Sequence, residues 1–227
     1  MAQECITRKM KSAIVSFCNS HIVPDKEYIS SHSGYESDWF IDYFNFIEDE
    51  KLRIKLGEAF HQARFVYKLM VVLNLNSWKN KGVVKFQIIQ YASICEALLQ
   101  HIIELYFLDE FRKKYKKMEY NPANNSMSKD TKILFQGKLL TPCYKKDVPA
   151  DIKRTSINDK IEFCVEKKVI QATEGNEFAK LYAARNNIHI LKATLSDYNP
   201  KVSDSKAAFL LMEKIRDQVK SYLESLK

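Results

Sequence analysis

Glycine and proline are scarce in this sequence, with 5 of each in 227 residues. Both punctuate chains, so their shortage argues against a turn-rich β-sandwich and for long helices. The cysteines Cys5, Cys18, Cys95, Cys143 and Cys164 are odd in number and scattered, with no C-x-x-C pair. Neither a disulfide framework nor a zinc site is expected from them, and a reducing, cytoplasmic setting is favoured. No run reaches the ~18 consecutive apolar residues of a membrane span. Near the start, Arg8, Lys9 and Lys11 precede a short apolar run at 13–18 that Ser16 interrupts. No small-residue cleavage pattern follows it, so no secretory signal is expected. Also missing are a glycine-rich phosphate loop, a G-x-S-x-G turn, an H-E-x-x-H pair and clustered carboxylates. Several common enzyme classes fall away with them, and no metal or cofactor is expected.

What is present is an ample apolar supply. Hydrophobic residues make up 46% of the chain, and 13 Phe and 12 Tyr argue against disorder. The length suits one helical domain, or one with a small appendage. The formal net charge is +8. Such an excess attracts polyanions such as nucleic acid or an anionic membrane surface, although it also fits a merely soluble basic protein.

Hydrophobic spacing predicts a sequence of helices. Ile6, Met10, Ile14 and Phe17 mark an amphipathic helix over 3–19, and a loop follows to Ser37, a candidate cap. Residues 38–56 carry Trp39, Phe40, Tyr43, Phe44, Phe46 and Ile47, a stripe that either enters the core or faces a partner. A helix over 58–75 ends at a break over 76–82. The strongest pattern spans 84–108, where Ser93, Glu96, Gln100 and Glu104 form one narrow polar strip on an otherwise apolar helix. That helix should be central, and Glu96 should be a partly buried carboxylate in need of a partner.

The basic run Arg112, Lys113, Lys114, Lys116 and Lys117 surrounds Tyr115. It could grip a phosphate backbone while the ring stacks on a base, or simply complement a helix C-terminus. Residues 132–148 lose the helical period; Ile133, Phe135, Leu139 and Leu140 around Gln136-Gly137-Lys138 read as a small β-hairpin or a loop. Ser156 or Asn158 caps a helix that ends near Val169, before a turn at 173–176. Two more helices follow, over 177–193 and, after a stop at 196–200, from a cap at Ser203 or Asp204 to the end.

One string is more specific: Leu181-Tyr182-Ala183-Ala184-Arg185-Asn186-Asn187-Ile188-His189-Ile190. Arg185 and His189 are four apart, so on a helix they share one face within about 40°. A guanidinium can hold a scissile phosphate by two hydrogen bonds, an imidazole can move a proton at the 2′-hydroxyl or the 5′-oxygen, and Asn186 can orient either group. The competing reading is structural: Arg185 pairs with Glu96 to satisfy a buried carboxylate, and His189 bonds locally.

The string resembles the signature helix of HEPN-domain proteins, on Arg185-Asn186-Asn187-Ile188-His189 before a final helix. The earlier helix Tyr91-Ala92-Ser93-Ile94-Cys95-Glu96-Ala97-Leu98-Leu99, with its embedded acid, adds to the likeness. The resemblance implies an all-α, HEPN-like bundle over 58–227, an N-terminal helical extension over 1–57, and an insertion at about 109–150. It further implies metal-independent cleavage of RNA by a homodimer in a bacterial toxin–antitoxin or antiviral system, with an antitoxin or defence subunit as protein partner. In that role Arg185 clamps phosphate, His189 is the acid–base, Asn186 assists and Glu96 orients Arg185. Arg112, Lys113, Lys114, Lys116 and Lys117 recruit the RNA. Only three residues separate Arg185 from His189, fewer than catalytic members usually have. That departure leaves open a non-catalytic interaction or scaffold subunit.

Overall fold

A computed structural model describes residues 36–73, 75, 80–122, 133–136, 138–140, 143–186 and 199–227, together with Lys9, Ser12, Ala13 and Ser16. Those four single residues are helical, in keeping with the helix expected over 3–19; the rest of that stretch and the loop after it lie outside the described residues.

The first bounded helix, α1 (Glu36–Asp42), ends in a turn over 43–46, earlier than the sequence pattern suggests. Phe40, Phe44 and Ile47 are buried, and the Tyr43 and Phe60 rings stack with centroids 4.6 Å apart. The aromatic stripe therefore feeds the core. Asp49 then caps α2 (Glu50–Val72), its carboxylate accepting from the Leu52 N–H at 3.1 Å. This helix runs unbroken through residue 57, across the junction of the 38–56 and 58–75 stretches read from the sequence. Gly57 is a packing residue here: a Cβ on it would lie 2.9 Å from the backbone Cα and N of Ile41.

The central helix is α3 (Lys81–Tyr106), which packs against α2 and against three later helices, α5 (Ile157–Glu166), α6 (Ala172–Asn186) and α7 (Val202–Ser225). Its Ile88, Ile94, Cys95, Leu98, Leu99, Ile102 and Ile103 are buried, leaving Ser93, Glu96, Gln100 and Glu104 as the wetter edge, as their spacing predicts. Two polar side chains of this helix, Gln87 and His101, are also buried. Gln87 donates to the Ala63 carbonyl at 3.1 Å and accepts from the Ser205 hydroxyl at 2.6 Å, tying α2, α3 and α7 together with its hydrogen bonds met.

Helix α4 (Leu108–Lys114) takes the first part of the expected insertion, and four short strands follow. β1 (Lys117–Pro122) pairs antiparallel with β4 (Cys143–Val148). Between them, β2 (Ile133–Phe135) and β3 (Lys138–Leu140) form the small hairpin, turning through Gln136 at φ 49°. The hairpin is shorter than the 132–148 span read from the sequence, because β4 turns back to β1 instead.

Ser156 caps α5, accepting from the Asp159 N–H at 3.2 Å. Helix α6 begins at Ala172, so the turn expected at 173–176 is its first turn. Gly175 permits this: a Cβ there would sit 2.8 Å from Val165 Cγ2 on α5. Helix α7 starts at Val202, one or two residues before the expected caps; Asp204 serves from inside, accepting from the Lys201 N–H at 2.9 Å. The described part is thus mostly helical, with two small two-stranded sheets. Among the described residues no helix is long and apolar enough to cross a membrane.

Candidate functional site

The polar strip of α3 meets α5 and α6 at Glu96. Arg185, at the end of α6, donates from Nη1 to Glu96 Oε2 at 3.4 Å, and the Tyr182 hydroxyl, one turn earlier, donates to Oε1 at 3.5 Å. Tyr182 also lies under the guanidinium, with Arg185 Cζ 4.7 Å from the ring centroid. From α5, Lys160 reaches the same carboxylate at 3.9 Å while donating to Gln100 Oε1 at 2.9 Å.

Burial divides these groups by role. The Lys160 side chain is 2% exposed, whereas Glu96 and Arg185 retain 26% and 28%. Burial pulls the Lys160 ammonium below its ordinary range, against the fields of Glu96, Glu104 and Asp151. Burial likewise raises the Tyr182 phenol, helped by Glu96. One carboxylate thus faces two cationic side chains, and the outer one is partly in solvent, which is an arrangement able to receive an anion.

Glu96 also borders a cleft of about 380 Å³ lined by Asp49, Ser93, Gln100, His101 and Glu104. Its carboxylates make it a poor seat for phosphate, so an anion would approach from the Arg185 side. Among the described residues no group of three or more His, Cys, Asp or Glu is placed to hold a metal ion.

Of the residues singled out in the sequence, Glu96 and Arg185 come together. Asn186 is the last described residue of α6 and is half-buried; His189 lies outside the described residues. The basic run is divided. Lys114 pairs with Glu166 and Glu162 on α5, and Lys116 pairs with Asp147. Arg112 and Lys113 border a groove of about 610 Å³ shared with Asp109, Lys116, Asp147 and Asp151. Two site members were missed in the sequence. Lys160 stands among Ile157, Ile161, Phe163 and Cys164, and a lysine inside an apolar helical pattern is the signal that could have found it. Tyr182 was in the string, but its reach to Glu96 depends on how α6 packs on α3.

Comparison with protein-family models, with curated proteins and with solved structures finds no match to this chain.

Proposed function

We propose that this protein is a HEPN-like RNA-binding protein that cleaves RNA without a metal, in a bacterial toxin–antitoxin or antiviral defence system. The observation that carries this reading is the Arg185 guanidinium, backed by Glu96, lying against Tyr182 and still 28% exposed. Two protein groups fix its direction while part of the side chain stays in solvent, and a bidentate phosphate contact needs a guanidinium held in this way.

In the proposed reaction Arg185 binds the non-bridging oxygens of the scissile phosphate and stabilises the charge that builds there. His189 takes the proton of the 2′-hydroxyl as its oxygen bonds to phosphorus. The 5′-oxygen receives that proton as its own bond to phosphorus breaks. The products are a 2′,3′-cyclic phosphate and a 5′-hydroxyl, and every proton is accounted for by the imidazole. Asn186 steadies the phosphate, and a homodimer brings two such helices together.

The test is incubation of the purified chain with single-stranded and transfer RNA in EDTA. EDTA-resistant cleavage is expected, with a loss of about 100-fold or more in His189→Ala. Equal rates in wild type and His189→Ala would remove His189 from the chemistry.

A second reading has one observation in its favour: Glu96 and Tyr182 already occupy Arg185. The chain would then be a non-catalytic interaction subunit. It would form a stable complex with a protein partner and turn over no RNA.

A further inference from the structure

A two-stranded antiparallel ribbon is marginal in water unless something covers it, since it lacks a core of its own. β1 and β4 form such a ribbon, and its residues Lys117 to Tyr120 and Cys143 to Asp147 are exposed on both faces. It is held at its base. The Ala150 N–H donates to the Arg112 carbonyl at 3.2 Å, and Lys116, just before β1, pairs with Asp147 of β4.

The exposed side chains are of an unusual kind for an uncovered sheet. Tyr120 is 62% exposed, Tyr144 is 54% exposed, and Met118 stands on the same face as Tyr120. The register sets Lys145 directly opposite Tyr120, with its ammonium 5.9 Å from the ring centroid. Asp147, the carboxylate on that face, is already engaged by Lys116. The reverse face carries Tyr144 with Lys117 and Lys146, the latter opposite Glu119. Each face therefore presents an open aromatic ring beside lysine.

An exposed aromatic ring beside an ammonium that has no carboxylate partner among the described residues matches the repeating unit of a nucleic-acid strand, which is a flat base joined to a phosphate. An acidic peptide would use the lysines but leave the rings idle, and an apolar partner would bury the lysines at a cost. A paired strand hides its base faces, so the rings select unpaired nucleotides.

We propose that the β1–β4 ribbon is an RNA-binding arm that stacks an unpaired base on Tyr120 and holds the adjoining phosphate with Lys145. This rests on the RNA-binding reading above and narrows its ligand to a single strand. Tyr144, with Lys146 two residues along the strand, offers a second such seat on the reverse face.

The experiment is fluorescence anisotropy of a labelled oligoadenylate with the full chain, beside a fully paired RNA of equal length and phosphatidylserine vesicles. The oligoadenylate is expected to bind more tightly than the duplex. Tyr120→Ala should weaken it about tenfold, and Tyr120→Phe, which keeps the ring, should not. Lys145→Ala should weaken it and flatten the dependence of log Kd on log salt by about 0.7. Wild-type affinity in both Tyr120→Ala and Lys145→Ala overturns the arm, as does binding to vesicles without binding to RNA. Both substitutions are on an exposed ribbon, and an unchanged melting temperature confirms that the fold is kept.

The arm and the Arg185 site fail separately. Normal oligoadenylate binding in the arm variants, alongside cleavage that depends on His189, removes the arm and keeps the site. Weakened binding in the arm variants, alongside unaltered cleavage in His189→Ala, does the reverse.

Discussion

Glu96 on α3 and Arg185 on α6 lie 89 positions apart in the chain and meet at 3.4 Å. The pair joins the central helix to the helix that carries Arg185 and Asn186. Both side chains keep about a quarter of their surface in solvent, so the contact orients more than it stabilises.

A double-mutant cycle on Glu96→Ala and Arg185→Ala should accordingly return a coupling of about 1 kcal/mol or less in urea unfolding. Glu96→Ala should nevertheless lower RNA cleavage, because the guanidinium loses its fixed direction. A coupling of several kcal/mol would instead mark the pair as a structural ion pair.

Lys160 behaves differently, because its side chain is almost wholly buried and its proton is held less tightly than in the unfolded chain. Stability linked to it is therefore gained as pH rises toward 10.5 and lost as pH falls. Lys160→Met keeps the volume and removes the desolvated charge, and should raise stability by about 1 kcal/mol at neutral pH. Glu96 would retain Arg185 and Tyr182. A clear fall in the melting temperature would show that Lys160 holds Glu96 in place.

Gly57→Ala should cost about 1–3 kcal/mol, although alanine is the better helix former. The new Cβ would meet the Ile41 backbone at 2.9 Å, and α1 would have to move as a unit. The near-ultraviolet circular dichroism of Trp39, which packs against Phe40 and Phe60, reports that shift. An unchanged spectrum and an unchanged midpoint would sink this account.

His101 lines the cleft beside Glu96 and is buried, which lowers its pKa from 6.5 against the fields of Asp49 and Glu104. The unfolded chain therefore binds this proton more readily than the folded one. Stability from the neutral ring is complete above 6.5 and declines as pH falls below it. Melting temperatures between roughly pH 7.5 and 5 should drop more steeply in wild type than in His101→Gln. Parallel curves would mean that the ring titrates as it does in water.

The amino-acid pattern by itself determined the elements whose reasons are local. The period of 3.6 residues marked α3 and its polar strip, and Ser156 could be named as a cap because its bond closes within three residues. Arg185 as a partner of Glu96 was also legible, since an acid in an apolar helix needs a cation and Arg185 stood at the margin of another apolar helix face.

Only the tertiary structure decided the rest. The pairing of Lys117 with Val148 joins strands across an insertion, so neither segment alone shows it. Gly57 and Gly175 resemble breaks in sequence, yet each sits within a helix because another chain segment presses against the missing side chain. Lys160 was drawn inside by Gln100 and Glu96, which come from a different helix. Period and capping act over one turn, whereas burial, register and close approach depend on which distant segments meet.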